Sequence, residues 1–329
     1  MADAYLVFES GGTKLVAAVA GDDCRIAETA VLYRVPGDRA GKSFGRMMEA
    51  GRELQRKHQQ QGASFRAVGF GFGGYVRRSL QKPLRCLHEE GWEDLDVAAD
   101  LERAFRLPVV VENDCKLGAL GEAHFGAGQG SRTLFYMTIG TGIGGGIVRD
   151  GQIQTMSDVG EAEIGHIVVA PDGPPCWCGG RGCVEAVCSG PGMSQLAAWV
   201  AAREPDAWRE SELRPRFASA AETTSKDLMQ AWEAGDPFAA SVIETSAGYL
   251  ASAVSAAINL ISPDVFVVGG GVGTGSERFL QLLREKVRGQ VAPCFRDQYR
   301  IVPSELREQA VTQGAAILAA QTVGRFREG

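Results

Sequence analysis

The 329-residue sequence lacks three features that would each define a class of protein. No apolar run reaches the roughly eighteen residues that a membrane-spanning helix needs. No block of lysine and arginine is long enough for a nucleic-acid-binding tail, and the formal net charge of -6 also argues against a nucleic-acid surface. The opening M-A-D-A-Y-L-V-F-E-S has neither the basic region nor the long apolar region of a secretory signal. We therefore expect a cytoplasmic protein that binds neither a membrane nor a nucleic acid.

Three of the cysteines, in contrast, lie close together and follow a histidine. Cys176, Cys178 and Cys183 with His166 would complete the closed tetrahedral shell of a structural zinc. The segment P-D-G-P-P-C-W-C-G-G-R-G-C holds too much Gly and Pro for a helix or central strand, so it offers little core in which thiols could simply be buried. A disulfide is the alternative, but a cytosolic protein keeps its thiols reduced. The spacing therefore predicts a structural zinc.

The order of short apolar runs and glycine turns occurs twice. Residues 5–33 read as strand, G-G-T-K turn, strand, turn, strand, and residues 134–156 repeat this order with G-T-G-I-G-G-G as the first turn. The repeat predicts a duplicated two-lobed fold, and the helical and strand-like segments around it predict an α/β class. Predicted helices cover 43–61, 97–105, 115–125, 193–202, 226–261 and 309–323. Loops are predicted at P-D-A-W (205–208) and R-P-R (214–216), and strands at 67–72, 109–111 and 265–268.

Glycine clusters follow three of the predicted strands. They comprise Gly11 and Gly12 before Thr13, the run Gly140, Thr141, Gly142 and Gly144, and Gly269, Gly270 and Gly271. Backbone N–H groups without a neighbouring Cβ allow the close approach of a phosphate. Residues 140–145 match G-x-G-x-x-G, but a dinucleotide fold needs a helix next, and a strand and an R-D-G turn follow instead. Tight turns are the alternative for each cluster; their repeated place at strand ends predicts nucleotide binding.

Asp114 stands between a short apolar strand and a predicted helix. That position lies at the carboxyl end of a sheet strand, where α/β folds place their ligands. A carboxylate there could accept the proton of a hydroxyl that attacks a phosphoryl group. Asp is also a favoured helix N-cap. The residues alone leave both roles open.

Six segments occur in an order that resembles one known family. They are S-G-G-T-K, V-V-V-E-N-D-C-K-L-G-A-L-G-E, I-G-T-G-I-G-G-G, E-I-G-H, C-W-C-G-G-R-G-C-V-E and V-V-G-G-G. Together they resemble the ROK family (repressor, open reading frame, kinase) of the sugar-kinase/actin-like ATPase superfamily. The resemblance implies two ribonuclease-H-like α/β lobes with a cleft between them, a small structural zinc loop, and a homodimer or homotetramer. We assign 1–113 plus 311–329 to the smaller lobe and 114–310 to the larger.

The resemblance also implies the activity: ATP-dependent phosphorylation of a hexose, with glucose expected first. Fructose, mannose, allose, N-acetylglucosamine and N-acetylmannosamine are alternatives, because one hydroxyl contact distinguishes each sugar. Mg²⁺ is expected to arrive with ATP, since no loop has a P-loop lysine at the right spacing. A sugar-binding regulator without catalysis is the other alternative. Only eight residues precede Glu9, too few for the helix-turn-helix of a ROK repressor.

The family's roles fall on matching residues. The resemblance makes Asp114 the catalytic base and Asn113 a sugar contact beside it. The further sugar contacts are Glu163, His166 and Glu185, and the nucleotide loops are Gly11 to Lys14, Gly140 to Gly145 and Gly269 to Gly271. Lys14 alone would read as an exposed turn lysine.

The chain departs from the family pattern at three positions. Glu9 stands where Asp is usual, so a carboxylate is kept and a water-mediated contact with Mg²⁺ is still expected. Gly73 and Gly74 stand where Pro-Gly is usual, which loosens a loop expected near the sugar. His88 stands where Asn is usual, and it is either a sugar contact or a surface histidine.

Overall fold

The computed structural model of the chain describes residues 2–86 and 89–326. The strands are β1 (Asp3–Ser10), β2 (Lys14–Ala20), β3 (Ile26–Tyr33), β4 (Ser64–Phe72), β5 (Gly74–Arg77), β6 (Lys82–Cys86), β7 (Val109–Asn113), β8 (Thr133–Ile139), β9 (Ile143–Arg149), β10 (Gln152–Ile153), β11 (Val265–Gly269) and β12 (Arg300–Pro303). The helices are α1 (Ala40–Gln60), α2 (Val97–Phe105), α3 (Asp114–Phe125), α4 (Val184–Cys188), α5 (Gly190–Ala201), α6 (Pro205–Glu210), α7 (Ser225–Ala234), α8 (Pro237–Ile261), α9 (Gly270–Gly273), α10 (Glu277–Gln290) and α11 (Ala310–Thr322).

Two compact units make up the chain. The first comprises Met1–Arg132, Gly146–Glu161 and Glu305–Gly329, and the second comprises Thr133–Gly145 and Ala162–Ser304. The lobe boundaries at 113/114 and 310/311 stay a prediction; the compact units keep α3 with the first sheet.

The first sheet has the strand order β3-β2-β1-β4-β7. Strands β1, β4 and β7 run parallel, and their long buried apolar runs suit a sheet that is covered on both faces. Ser10 pairs with Phe72, and Phe72 pairs with Asn113. The carboxyl ends of these three strands therefore meet at one edge of the sheet.

Helix α3 is held against α11 by small residues. A Cβ on Gly121 would lie 2.3 Å from the carbonyl oxygen of Ala310, and one on Gly314 would lie 1.8 Å from that of Leu117. Only glycine permits so close a crossing of two helix backbones. The contact fixes α3, whose first residue is Asp114, relative to the sheet edge.

The second sheet has the order β10-β9-β8-β11-β12, with β8, β11 and β12 parallel. Thr138 pairs with Gly269, so the turn after β8 and the glycines after β11 lie at neighbouring strand ends. The rings of Phe135 and Phe266 stack at 4.9 Å between centroids and join these two strands.

The strand-turn-strand pattern of the sequence forms β1 to β3 and again β8 to β10, and the α/β class is confirmed. Two local predictions were wrong. A single helical region over 226–261 is two helices, because Gly235 adopts a left-handed φ of 95° and Asp236 then caps α8. The loop expected at 205–208 lies instead within α6, which starts at Pro205. No helix in 2–86 or 89–326 is long and apolar enough to cross a membrane.

Candidate active site and cysteine cluster

Gly73 brings three segments of the first unit together at the sheet edge. Its N–H donates to the carbonyl oxygen of Ser10 at 2.9 Å. A Cβ on Gly73 would lie 2.8 Å from that oxygen, 3.3 Å from Asp114 Oδ2 and 3.6 Å from the Cα of Gly11. The glycine that departs from the expected Pro-Gly therefore lets the first glycine turn approach Asp114 closely.

The helix cap is Asn113, and Asp114 is the first residue of α3. Asn113 Oδ1 accepts the N–H groups of Cys115 at 2.9 Å and Lys116 at 3.2 Å. Its Nδ2 donates to the carbonyl oxygen of Gly74 and to Asp114 Oδ1, each at 3.1 Å. Asp114 Oδ1 also accepts the Cys115 N–H at 2.8 Å. These bonds fix the carboxylate through Oδ1, while Oδ2 lies on the Gly73 side.

Two carboxyl groups at this edge have raised pKa values. Burial raises the pKa of Asp114 to about 6, although hydrogen bonds from Cys115 and Asn113 oppose the shift. Burial and then the charge of Asp114 raise the pKa of Glu9 to about 8, with Lys14 acting in the opposite direction. Two interacting carboxyls of this kind can share a proton, or a cation can compensate both charges.

Replacing Glu9 with Gln is expected to stabilise the protein at alkaline pH. Below about pH 4 the carboxyl is neutral whether the chain is folded or unfolded, so the substitution changes little. As pH rises from about 4.5 to about 8, the unfolded chain loses this proton while the folded chain keeps it, so this part of the folding stability falls progressively and is absent above pH 8. We expect a gain of about 2 kcal/mol at pH 8.5 and almost none at pH 4, measured by urea unfolding without Mg²⁺. The matched control Glu102→Gln, on the exposed face of α2, should change the unfolding free energy by less than about 0.5 kcal/mol at either pH. A gain of equal size at both pH values would contradict the raised pKa of the Glu9 carboxyl.

Some polar groups of the first glycine turn are already hydrogen-bonded within the turn. The N–H of Gly11 donates to the carbonyl oxygen of Lys14 at 3.0 Å, and Lys14 Nζ forms an ion pair with Glu308 at 2.6 Å. A phosphate contact would therefore fall to the N–H groups of Gly12 and Thr13. The lysine is the first residue of β2, about one-third exposed and already paired.

A buried network of charged side chains lies beside Asp114, and no pattern in the sequence predicted it. Arg78 Nε donates to Glu112 Oε2 at 2.8 Å, and Lys116 Nζ donates to Glu161 Oε1 at 2.9 Å. Arg78 also bonds Glu161, so the four side chains form one network. Burial opposes ionisation of Glu161, but the bonds from Arg78 and Lys116 hold its pKa below the usual range. Two of the four flank Asn113 and Asp114 in sequence, which adds support to that helix start.

In the second unit, the turn after β8 is Gly140 to Gly142. Gly140 N–H donates to the carbonyl oxygen of Gly142 at 2.9 Å, and the N–H of Gly190 donates to the carbonyl oxygen of Gly140 at 2.8 Å. Thr141 is exposed at the tip, and Gly144 lies in β9. This is a hairpin, as the sequence predicted, and not the strand-to-helix turn of a dinucleotide fold.

Packing explains part of the third glycine cluster. A Cβ on Gly269 would lie 2.3 Å from Tyr136 Oη, and Gly270 has a φ of 79° and sits against the backbone of Ile139. Gly271, in contrast, has open space where a Cβ would be, as does Gly140. Those two glycines are the ones that a ligand could approach.

The four predicted metal ligands are brought together within the second unit. The ligand atoms of His166, Cys176, Cys178 and Cys183 all lie within 4.8 Å of one another. The sulfurs of Cys178 and Cys183 are 3.8 Å apart, too far for a disulfide, whose S–S bond is about 2.0 Å. Two Zn–S bonds of about 2.3 Å at a tetrahedral angle would set sulfurs about 3.8 Å apart. The cluster therefore fits zinc.

Glycines and backbone bonds hold the cysteine loop. Gly182 has a φ of 63°, and its carbonyl oxygen accepts the N–H groups of Val169 and Ala170. Burial raises the pKa of Cys176, and raises that of Cys183 to about 12, whereas the N–H of Gly180 lowers the pKa of Cys178. Metal binding must therefore displace protons from buried thiols, which makes metal affinity depend on pH.

Glu185 is a buried carboxylate and not a solvated surface acid. Glu185 is 5% exposed. Oε2 accepts the N–H of Ile143 at 2.7 Å, and Oε1 accepts the indole N–H of Trp177 at 2.5 Å. The ring of Trp177 also meets that of His166 edge-on at 6.2 Å. Trp177, which the sequence analysis missed, thus joins Glu185 to the cysteine cluster; its position between two ligands was the available signal.

Glu163 and His166 begin and end a short 3₁₀ turn, in which His166 N–H donates to the carbonyl oxygen of Glu163 at 3.0 Å. A Cβ on Gly165, inside this turn, would lie 2.0 Å from the carbonyl oxygen of Ile143. The turn, through Gly165, and the carboxylate of Glu185 therefore both lie against the backbone of Ile143. His166 faces Cys176 through Nδ1 at 4.0 Å, so a metal bound there leaves Nε2 for a second partner.

Comparison with known proteins adds independent evidence. The model of the ROK family matches residues 5–322. The chain belongs to the ROK family. A glucokinase of Thermotoga maritima is 36% identical over 258 residues, which cover 78% of this chain and 80% of the relative. A ROK glucokinase of Streptomyces griseus, solved in complex with glucose and AMPPNP, is 31% identical with a TM-score of 0.78, and the match covers 97% of this chain and 99% of that one.

ROK proteins also include regulators. A ROK transcriptional regulator, described as a homologue of the Escherichia coli MLC protein, has a TM-score of 0.83 and 26% identity; the match covers 98% of this chain but only 79% of that protein. The kinase relatives confirm the predicted enzyme class, a sugar kinase. The predicted site residues of this ROK chain are divided between the two units. The first unit holds Glu9, Gly11 to Lys14, Asn113 and Asp114, and the second holds the other predicted residues except His88, which lies outside the described residues.

Proposed function

We propose that this chain transfers the γ-phosphoryl group of Mg-ATP to a hydroxyl of a hexose, most specifically glucose, with Asp114 as the general base. The observation that carries the proposal is the carboxylate of Asp114 at the common end of β1, β4 and β7. One oxygen is fixed by Asn113 and Cys115, and the pKa is about 6. Such a group is ionised at neutral pH and can accept the proton of an attacking hydroxyl.

The nucleotide is assigned to the glycine turns. Thr13, in the turn of the first unit, and Thr141, in the second, are exposed, and Gly140 and Gly271 have open space where a Cβ would be. With Gly12 and Gly142 beside them, these residues are the proposed contacts to the phosphates. Glu9 is proposed to hold Mg²⁺ through water, because its half-buried carboxyl, whose pKa the charge of Asp114 helps to raise, favours a compensating cation. When bound, Mg²⁺ neutralises charge on the phosphates, and Lys14 stays in its ion pair with Glu308.

The sugar is assigned to Asn113, Glu163, His166 and Glu185. Carboxylates and an imidazole held in fixed positions discriminate among hydroxyls because hydrogen bonds to them are directional. The zinc supplies a rigid support for this loop, bound by His166 and the three cysteines. Glucose is proposed first because the glucokinases of Thermotoga maritima and Streptomyces griseus are named for it. The other five hexoses named above remain alternatives, and a homodimer or homotetramer stays a prediction.

The expected result is turnover of one hexose in a coupled assay for ADP release. Purified protein with Mg-ATP would be tested against glucose and the five alternative sugars, with ribose as a pentose control. We expect the highest kcat/KM for glucose, at least about tenfold above its epimers, since a lost hydrogen bond to a charged group costs about 1.5–3 kcal/mol. Binding of glucose by calorimetry without turnover of any sugar would instead identify a regulator that has lost catalysis.

A further inference from the structure

A buried ion pair, Arg34 with Glu89, lies behind the first glycine turn. The side chains are 12% and 4% exposed, and Arg34 Nη1 donates to Glu89 Oε2. A buried pair is tolerated only when further hydrogen bonds satisfy the remaining groups of both partners. The pair joins residues 55 positions apart in the sequence, and it has no part in the roles proposed above.

The other nitrogen atoms of the guanidinium donate hydrogen bonds to the turn itself. Arg34 Nε donates to the carbonyl oxygen of Gly11, and Nη2 donates to Ser10 Oγ, each at 2.9 Å. The N–H of Gly11 is already bonded to Lys14. Both backbone polar groups of Gly11 are therefore fixed before any ligand binds. A planar guanidinium can make these three contacts at once, and a lysine ammonium on a flexible stem cannot reproduce the fork.

Glu89 anchors the pair to the interior of the first unit. Its Oε1 accepts from Ser43 Oγ of α1 at 2.6 Å, and its Oε2 accepts from the indole N–H of Trp92 at 2.8 Å. Trp92 is fully buried, with its ring 5.3 Å from that of Phe72, the last residue of β4. The carboxylate thereby connects Arg34 to a helix and to the aromatic core at the same sheet edge.

We propose that Arg34 and Glu89 are positioning residues that hold the Ser10 to Lys14 turn in the conformation that receives nucleotide phosphates. This inference rests on the proposed function, which assigns that turn to ATP. The guanidinium donors that Glu89 leaves unpaired are satisfied by Ser10 Oγ and the carbonyl oxygen of Gly11, so the buried pair and the conformation of the turn depend on each other. A loop that is already ordered before binding raises affinity, because the entropy cost of ordering it is not part of the binding free energy.

The test measures the Kd of Mg-AMPPNP by calorimetry together with thermal unfolding. Arg34→Lys keeps the charge and removes the fork, and we expect binding about tenfold weaker, with the KM for ATP raised more than kcat is lowered. Glu89→Gln should weaken binding about three- to tenfold. The matched control is Arg66→Lys, because Arg66 Nε bonds Asp3 Oδ1 at 2.6 Å near the amino ends of β1 and β4. That variant should bind the nucleotide like wild type.

A lower Tm in Arg34→Lys with unchanged affinity for AMPPNP would overturn the proposal and leave the pair as a stabilising contact. If that variant does not fold, Ser10→Ala replaces it, since it deletes only the bond from Nη2; about threefold weaker binding supports the proposal, and equal binding overturns it. Wild-type protein that neither binds AMPPNP nor turns over a hexose overturns the proposed function, and the assignment of the pair falls with it. The wild-type measurement therefore separates the two failures.

Discussion

Asp114→Asn is expected to lower kcat about a thousandfold while leaving the affinity for the hexose within about threefold of wild type, because a positioned base contributes roughly 10²–10⁴ to the rate. Asparagine keeps an oxygen that can accept the N–H of Cys115 and the amide of Asn113, so the start of α3 should persist. The measurements are the coupled ADP assay and calorimetry with the sugar that wild type turns over. Asp96→Asn is the matched control, since Asp96 caps α2 and accepts the N–H of Ala99 away from this edge.

The pH dependence of kcat/KM provides a second test of Asp114 as the general base. Because burial raises the pKa of Asp114 to about 6, kcat/KM of wild type should rise as pH increases through 6 and then level off. Residual turnover by Asp114→Asn should not show that step. Wild-type kcat in Asp114→Asn would instead mean that Asp114 serves only the start of the helix.

Cys183→Ser should remove zinc and, with it, most of the affinity for the sugar. Cys183 is 2% exposed and belongs to the four-residue ligand set, so a weaker hydroxyl ligand leaves the metal poorly held. The loop that carries Trp177 would then lose its support, and Glu185 would lose the indole N–H that fixes Oε1. We expect wild type to carry about one zinc per chain, Cys183→Ser almost none, and the Kd for the sugar to rise about a hundredfold.

Elemental analysis, thiol titration and sugar calorimetry check this prediction together. Cys294→Ser is the matched control, because Cys294 is an exposed cysteine outside the cluster. It should retain zinc and affinity. Wild-type protein prepared without metal that still folds and binds the sugar normally would refute a structural zinc. Because the buried thiols of Cys176 and Cys183 hold protons tightly, zinc should also be released more readily as pH falls.

Several elements of the site were predictable because their signals are local. The ligand spacing of the cysteine loop, the glycines after each strand and the position of Asp114 between a strand and a helix all depend on neighbouring residues. The details of Asp114 were not predictable in this way. Asn113, one residue earlier, is the helix cap, and this leaves Asp114 Oδ2 on the side of Gly73. Which of two adjacent polar residues caps a helix depends on the backbone angles that the fold imposes.

Ala162 shows the same limit at a single residue. It adopts a left-handed φ of 60° immediately before Glu163. This conformation costs an alanine about 1–2 kcal/mol, and the residue type alone does not predict it. A Cβ on Gly145 would lie 2.5 Å from the carbonyl oxygen of Ala162, so the segment also packs where only glycine fits. Nothing in the order of residues near Ala162 distinguishes it from an ordinary alanine in an extended segment.

The order of residues was enough for the α/β class, the repeated strand pattern, the grouping of His166 with the three cysteines and the enzyme class. The alternation of apolar and polar residues, the turn residues and the ligand spacing each involve only a few neighbouring positions. They can therefore be recognised without knowledge of the tertiary structure. Only the tertiary structure paired Arg34 with Glu89, 55 positions away, and brought Glu185 to the N–H of Ile143, 42 positions away. A buried charge must find its partners inside the protein, and strand order and helix packing set which donors lie within reach.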